Sequence, residues 1–195
     1  MSENTFFRVC LYFTGILTIF IWSLLTWNHF HGGVPSHHVF AREDLPEISN
    51  WWGGLLIPLL SWFLLYRIQK RLIHNSDKNP KVFNLPVSVI YGFLSTLIFG
   101  ILLSVFFTLG YSDIPVYMLL GVFVLALVFP IYRSECLLGF VIGMTYTFGA
   151  VLPTGIGSIL VLIGAVLHLF VRPLILFVTT RLINLATSIK QNKAK

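Results

Sequence analysis

Four of the chain's six histidines fall within ten residues: His29, His31, His37 and His38. Imidazole is the commonest metal-ligating side chain and an acid–base group near neutral pH. Gly32, Gly33 and Pro35 stand between the two pairs and are strong turn formers. The chain is therefore expected to reverse there and bring His29 and His31 toward His37 and His38. In an extended stretch His29 and His31 point to one side, because side chains alternate with period two. Two imidazoles from one arm and one from the other make three nitrogens, the ligand number of a catalytic zinc site with an open position. Zinc is the metal this pattern suggests first, and copper and nickel also accept imidazole. Glu43, Asp44 and Glu47 then become candidates to orient a ligand or to act as base on bound water.

The same residues have a plainer reading. The histidine spacing matches no zinc-finger or zincin signature. Asp44-Leu45-Pro46-Glu47 has the spacing of a capping box with proline in the first turn, which would make these acids the start of the second helix. Trp27, Trp51 and Trp52 then anchor the outer membrane boundary, and the histidines are solvated interface groups.

Two further features carry chemistry. His168 lies in an apolar stretch on one helical face with Gly157, Val161 and Gly164. Intramembrane ionisable groups are functional suspects because they are unfavourable there. His168 is thus a candidate proton relay or ligand, or a buried histidine bonded to a carbonyl. Gly139 and Gly143 have the small-xxx-small spacing that lets helices approach closely, and Tyr146 extends their stripe. This stripe suggests a homo-oligomer formed through Gly139 and Gly143. The glycines and proline at Gly149, Pro153, Gly155 and Gly157 predict a flexible connection between the last two spans, either a broken helix or a hairpin.

The elements that position these groups follow from composition. Of 195 residues, 56% are hydrophobic and 10% charged, with a mean hydropathy of +0.86. No water-soluble domain of this size hides so much apolar surface. The reading is an all-α integral membrane protein, a bundle of about six transmembrane helices. The predicted spans are 9–27, 51–70, 86–109, 115–132, 136–152 and 155–176, within a single domain over 1–189.

Positive charge sets the orientation, since loops rich in Lys and Arg stay cytoplasmic. Arg67, Lys70, Arg71, Lys78 and Lys81 follow the second span, Arg133 the fourth, and Arg181, Lys190, Lys193 and Lys195 the sixth. Both termini are expected inside, with a basic tail at 190–195 and the His-rich loop 28–50 outside. The first apolar run is long and lacks a small-residue cleavage site, so it reads as an uncleaved helix. Cys10 and Cys136 fall near cytoplasmic helix ends. Arg133 and Glu135 flank the fifth span and are expected to be solvated.

The net charge of +6 sits in clusters between apolar runs, so the lipid bilayer is the expected partner and nucleic acid is not. The expected location is a plasma membrane or bacterial inner membrane. The sequence contains no P-loop, GxGxxG, nucleophile elbow, CxxC or HExxH. Three functions fit: a metal or acid–base site at the outer face, a small transporter or channel with a path past His168, and an accessory protein acting through helix packing.

Overall fold

A computed structural model of the chain describes residues 3–38, 47–74, 86–111 and 113–193. Seven helices dominate: α1 (Glu3–Phe30), α2 (Gly53–His74), α3 (Val87–Thr108), α4 (Asp113–Val128), α5 (Ser134–Phe148), α6 (Val151–Val166) and α7 (Arg172–Lys193). A π-helical turn over Leu167–Val171 joins α6 to α7. Two three-residue strands, β1 (Ser36–His38) and β2 (Glu47–Ser49), and a 3-10 turn at Asn50–Trp52 lie between α1 and α2.

Among the described residues four stretches are long and apolar enough to cross a membrane: Asn4–Phe30, Asn50–Ile73, Val87–Thr108 and Val151–Asn184. They mark the chain as an integral membrane protein. α4 and α5 are apolar but shorter, at 16 and 15 residues. At ~1.5 Å per residue each is about 23 Å long, against ~30 Å for a hydrocarbon core.

The short α5 is the centre of the bundle. It packs on α2, α3 and α6, and Leu138, Phe140, Val141, Met144 and Thr145 are all buried. Its closest neighbour is α3, which runs parallel to it. Gly92 of α3 lies against Glu135 and Cys136, Thr96 against Gly139, and Gly100 against Gly143. A Cβ on Gly143 would sit 2.5 Å from the Leu97 carbonyl oxygen and 3.1 Å from the Ile101 nitrogen. One on Gly100 would sit 2.8 Å from the Phe140 carbonyl oxygen. The two backbones are therefore in contact, as small residues permit when helices associate without a hydrophobic driving force. Gly139 and Gly143, which suggested a contact with a second copy, meet α3 of the same chain.

α1 and α2 form an antiparallel pair against this centre. Ile21 and Leu25 of α1 pack with Ile57 of α2, Val141 of α5 and Ala150. At the other end Phe6 and Cys10 pack with Ile68, Leu72 and Val89.

Two local expectations are corrected, and one left open is decided. The first helix continues through Phe30, so His29 is helical rather than extended. Glu47 begins a strand, and the helical turn that follows is capped by Ser49, whose hydroxyl accepts from the Trp51 amide at 3.4 Å. That displaces the predicted capping box, of which Asp44 lies outside the described residues. The glycine- and proline-rich connection is a tight hairpin: Gly149 takes φ +69°, Val151 already starts α6, and Gly155 and Gly157 are helical. Proline in a first turn lacks only an amide that would have no partner there, so Pro153 fits without breaking α6.

The tight α3–α5 seam gives a stability prediction. Gly143→Ala forces a methyl group into the α3 backbone and should destabilise the fold by about 1–3 kcal/mol. Gly121→Ala on α4, where a Cβ meets nothing within 4 Å, should stay within about 0.5 kcal/mol of the parent. Thermal unfolding of the two detergent-purified variants, compared with the parent, measures both.

Candidate functional site

Polar groups gather at the two ends of the bundle. At one end, α1 closes at Phe30 and the Asn28 carbonyl accepts from the amides of His31 (3.1 Å) and Gly33 (2.9 Å). Gly32 and Gly33 take φ of +111° and +94°, a left-handed conformation that glycine adopts readily. The chain reverses there as expected, but the returning arm pairs with β2 rather than with the end of α1. β1 and β2 are antiparallel, with Ser36 opposite Ser49, His37 opposite Ile48 and His38 opposite Glu47. The Ser36 hydroxyl donates to a Glu47 carboxylate oxygen. Among the candidate acids, Glu47 is thereby tied to the hairpin, while Glu43 and Asp44 lie outside the described residues.

The hairpin is fastened to the bundle from below. The Asn50 amide donates to the Pro35 carbonyl at 3.1 Å. The Asn50 side chain occupies the space a Cβ on Gly149 would need, joining the 3-10 turn to the α5–α6 turn. Trp51 lies against Trp22 and His29, with ring centres 6.3 and 5.9 Å away.

The helical course of α1 separates the first histidine pair. Two residues apart on a helix are about 200° apart in direction, so His29 faces Trp51 while His31 stacks on Trp27 at 3.8 Å. The His31 Nδ1–H donates to the Trp27 carbonyl at 2.9 Å. A carbonyl can only accept, so Nδ1 carries the proton and Nε2 is the nitrogen left outward. Among the described residues, no three His, Cys, Asp or Glu come together as a set that could hold a metal ion.

His168 occupies the π turn near the opposite end. Its Nδ1 is 3.1 Å from the carbonyl of buried Ala126 on α4, and its Nε2 is 3.0 Å from the Arg172 guanidinium. Guanidinium only donates. Nε2 is therefore the acceptor and Nδ1–H the donor, so both ring nitrogens are engaged within the chain. The Tyr132 ring lies 5.6 Å from that of His168.

The same end holds a group whose setting sequence reasoning missed. Glu135, expected to be solvated, is 1% exposed and accepts from Arg71 of α2 at 2.9 and 3.0 Å through its two oxygens. It lies in the first turn of α5, where a carboxylate also complements the positive end of the helix dipole. Gly92 makes room for it, since a Cβ there would stand 3.1 Å from the Glu135 Cγ. The signal was present: Glu135 is the last carboxylate in the sequence and adjoins an apolar run. Cys10 and Cys136 are buried near this end.

Comparison with protein families, with characterised proteins and with solved structures finds no match.

Removing one partner of a buried ion pair leaves an uncompensated charge, at a cost of about 3–5 kcal/mol. Arg71→Met should therefore destabilise the protein strongly. The double replacement Arg71→Met with Glu135→Leu removes both charges and should recover most of that loss. A double-mutant cycle on thermal unfolding reads the coupling, and an additive cycle would count against the pair.

Proposed function

We propose that this chain is a six-span membrane protein with both termini in the cytoplasm and with its working surface at the outer hairpin. That surface is an imidazole–carboxylate site that binds a transition metal such as zinc, or moves a proton, at the membrane boundary. The observation that carries this reading is the β1–β2 register, which sets His38 across from Glu47, next to a Ser36–Glu47 hydrogen bond. Supporting it, His29 in the last turn of α1 and His31 just after it precede the hairpin at the same end of the chain's fold, braced by Trp51 and Trp27. Firm anchoring through Asn50 and Gly149 suits a site that must keep its geometry.

In the six-span arrangement α4 and α5 cross as short helices, α5 shielded from lipid by its neighbours. The basic clusters then fall together on the side of Arg71, Arg133 and Arg172, as the preference of Lys and Arg for cytoplasmic loops requires.

Two measurements test these halves separately. For the orientation, a membrane-impermeant maleimide should label Ser36→Cys on intact cells and Ser188→Cys only after permeabilisation; the reverse pattern rejects it. For the site, a ligand at about 100 times its dissociation constant adds about 2.7 kcal/mol to the folded state. Zinc should therefore raise the unfolding midpoint of the purified protein, and His38→Ala or Glu47→Gln should abolish the rise. No metal on elemental analysis, together with an unmoved midpoint, removes the metal-binding version.

A further inference from the structure

The last helix leaves the bundle. The apolar helical run from Val151 to Asn184 is 34 residues, about 51 Å at ~1.5 Å per residue. A hydrocarbon core needs only about 20 helical residues, so a span that starts at Val151 has crossed it near Arg172. α7 therefore begins at the membrane boundary.

From Pro173 to Asn184 every residue is exposed, including Leu174, Ile175, Phe177, Val178, Leu182 and Ile183. In helical register Ile175, Val178 and Leu182 recur at intervals of three and four, which makes one exposed apolar stripe. Thr180 and Asn184 fall on the opposite side, and Arg181 flanks the stripe. From Arg172 to Lys195 there are five cations and no carboxylate.

The junction is suited to bending. Proline lacks an amide and its ring clashes with the carbonyl four residues earlier in a regular helix. Pro173 follows directly on the π turn, in which the Arg172 amide reaches back to the Leu167 carbonyl. Such turns and prolines are where long helices kink. The Thr179 and Thr180 hydroxyls add bonds to the Ile175 and Leu176 carbonyls, each at 2.8 Å, and such bonds also bend helices.

We infer that α7 is an interfacial anchor that lies on an anionic lipid surface, its apolar stripe in the acyl boundary and its cations on headgroup phosphates. The chemistry is that of a cationic amphipathic helix, and covalent continuity with α6 holds it at the boundary. The inference rests on the orientation proposed above only for which leaflet is used.

The test uses full-length protein carrying a polarity-sensitive fluorophore on Leu182→Cys or on Asn184→Cys. Cys10 and Cys136 are buried and stay in place, with the parent protein as labelling blank. The labelled proteins are reconstituted in phosphatidylcholine vesicles with or without phosphatidylglycerol. In anionic vesicles the label at 182 should report an apolar environment and be quenched by spin-labelled lipid, while the label at 184 stays aqueous. Each removal among Arg181, Lys190 and Lys193 should lower the docked-to-undocked ratio about fivefold. Equal emission at the two positions overturns the inference. So does burial at 182 that follows the protein-to-lipid ratio, because a second copy is then the occupant. Labelling of Asn184→Cys from outside intact cells would overturn the orientation alone and leave the vesicle result standing.

Discussion

The backbone contact between α3 and α5 is the constraint on which the rest of the molecule depends. Apolar side chains do not drive helices together in lipid, because the surrounding acyl chains are just as apolar. Close packing must supply the attraction instead. Gly100, Gly139 and Gly143 allow it by omitting the atoms that would hold the backbones apart. The consequences reach both ends of α5. At its start the seam brings Gly92 beside Glu135, and the carboxylate is left to pair with Arg71 on α2. At its finish the chain turns at Gly149 against Asn50, which carries the hairpin. A 15-residue helix can serve as the centre because it is enclosed by other helices and need not match the bilayer by its own length.

The bundle class was legible because hydropathy reports directly on the medium around a segment. α3, expected over 86–109, is observed over Val87–Thr108. Boundaries set by single-residue backbone chemistry were harder to read. Glycines between 149 and 157 suggest looseness, yet only Gly149 has a positive φ; Gly155 and Gly157 are helical, and Gly157 packs against Leu137 and Phe140. The stripe on α3 escaped notice for a related reason. Gly92, Thr96, Gly100 and Ser104 repeat every four residues, but two glycines diluted by hydroxyl residues do not read as a packing motif until a partner is known.

The histidine cluster shows where sequence periodicity misleads. The period-two argument holds only for extended chain, and α1 outlasts it by carrying His29 within its last turn. Proximity in sequence then became divergence in space for His29 and His31. Proximity between β1 and β2 arose instead from strand pairing across nine to thirteen positions, His38 with Glu47 and Ser36 with Ser49. Nothing in local composition announces a three-residue strand.

Among the described residues the charged side chains lie toward the ends of the helices, and His168 sits beside one of them, Arg172. A proton or solute passing His168 would have to break its bonds to Ala126 and Arg172, leaving the buried Ala126 carbonyl unpaired. Each unmet group of that kind costs about 1–3 kcal/mol, more where charge is involved. The two bonds make His168 a brace between α4 and the π turn.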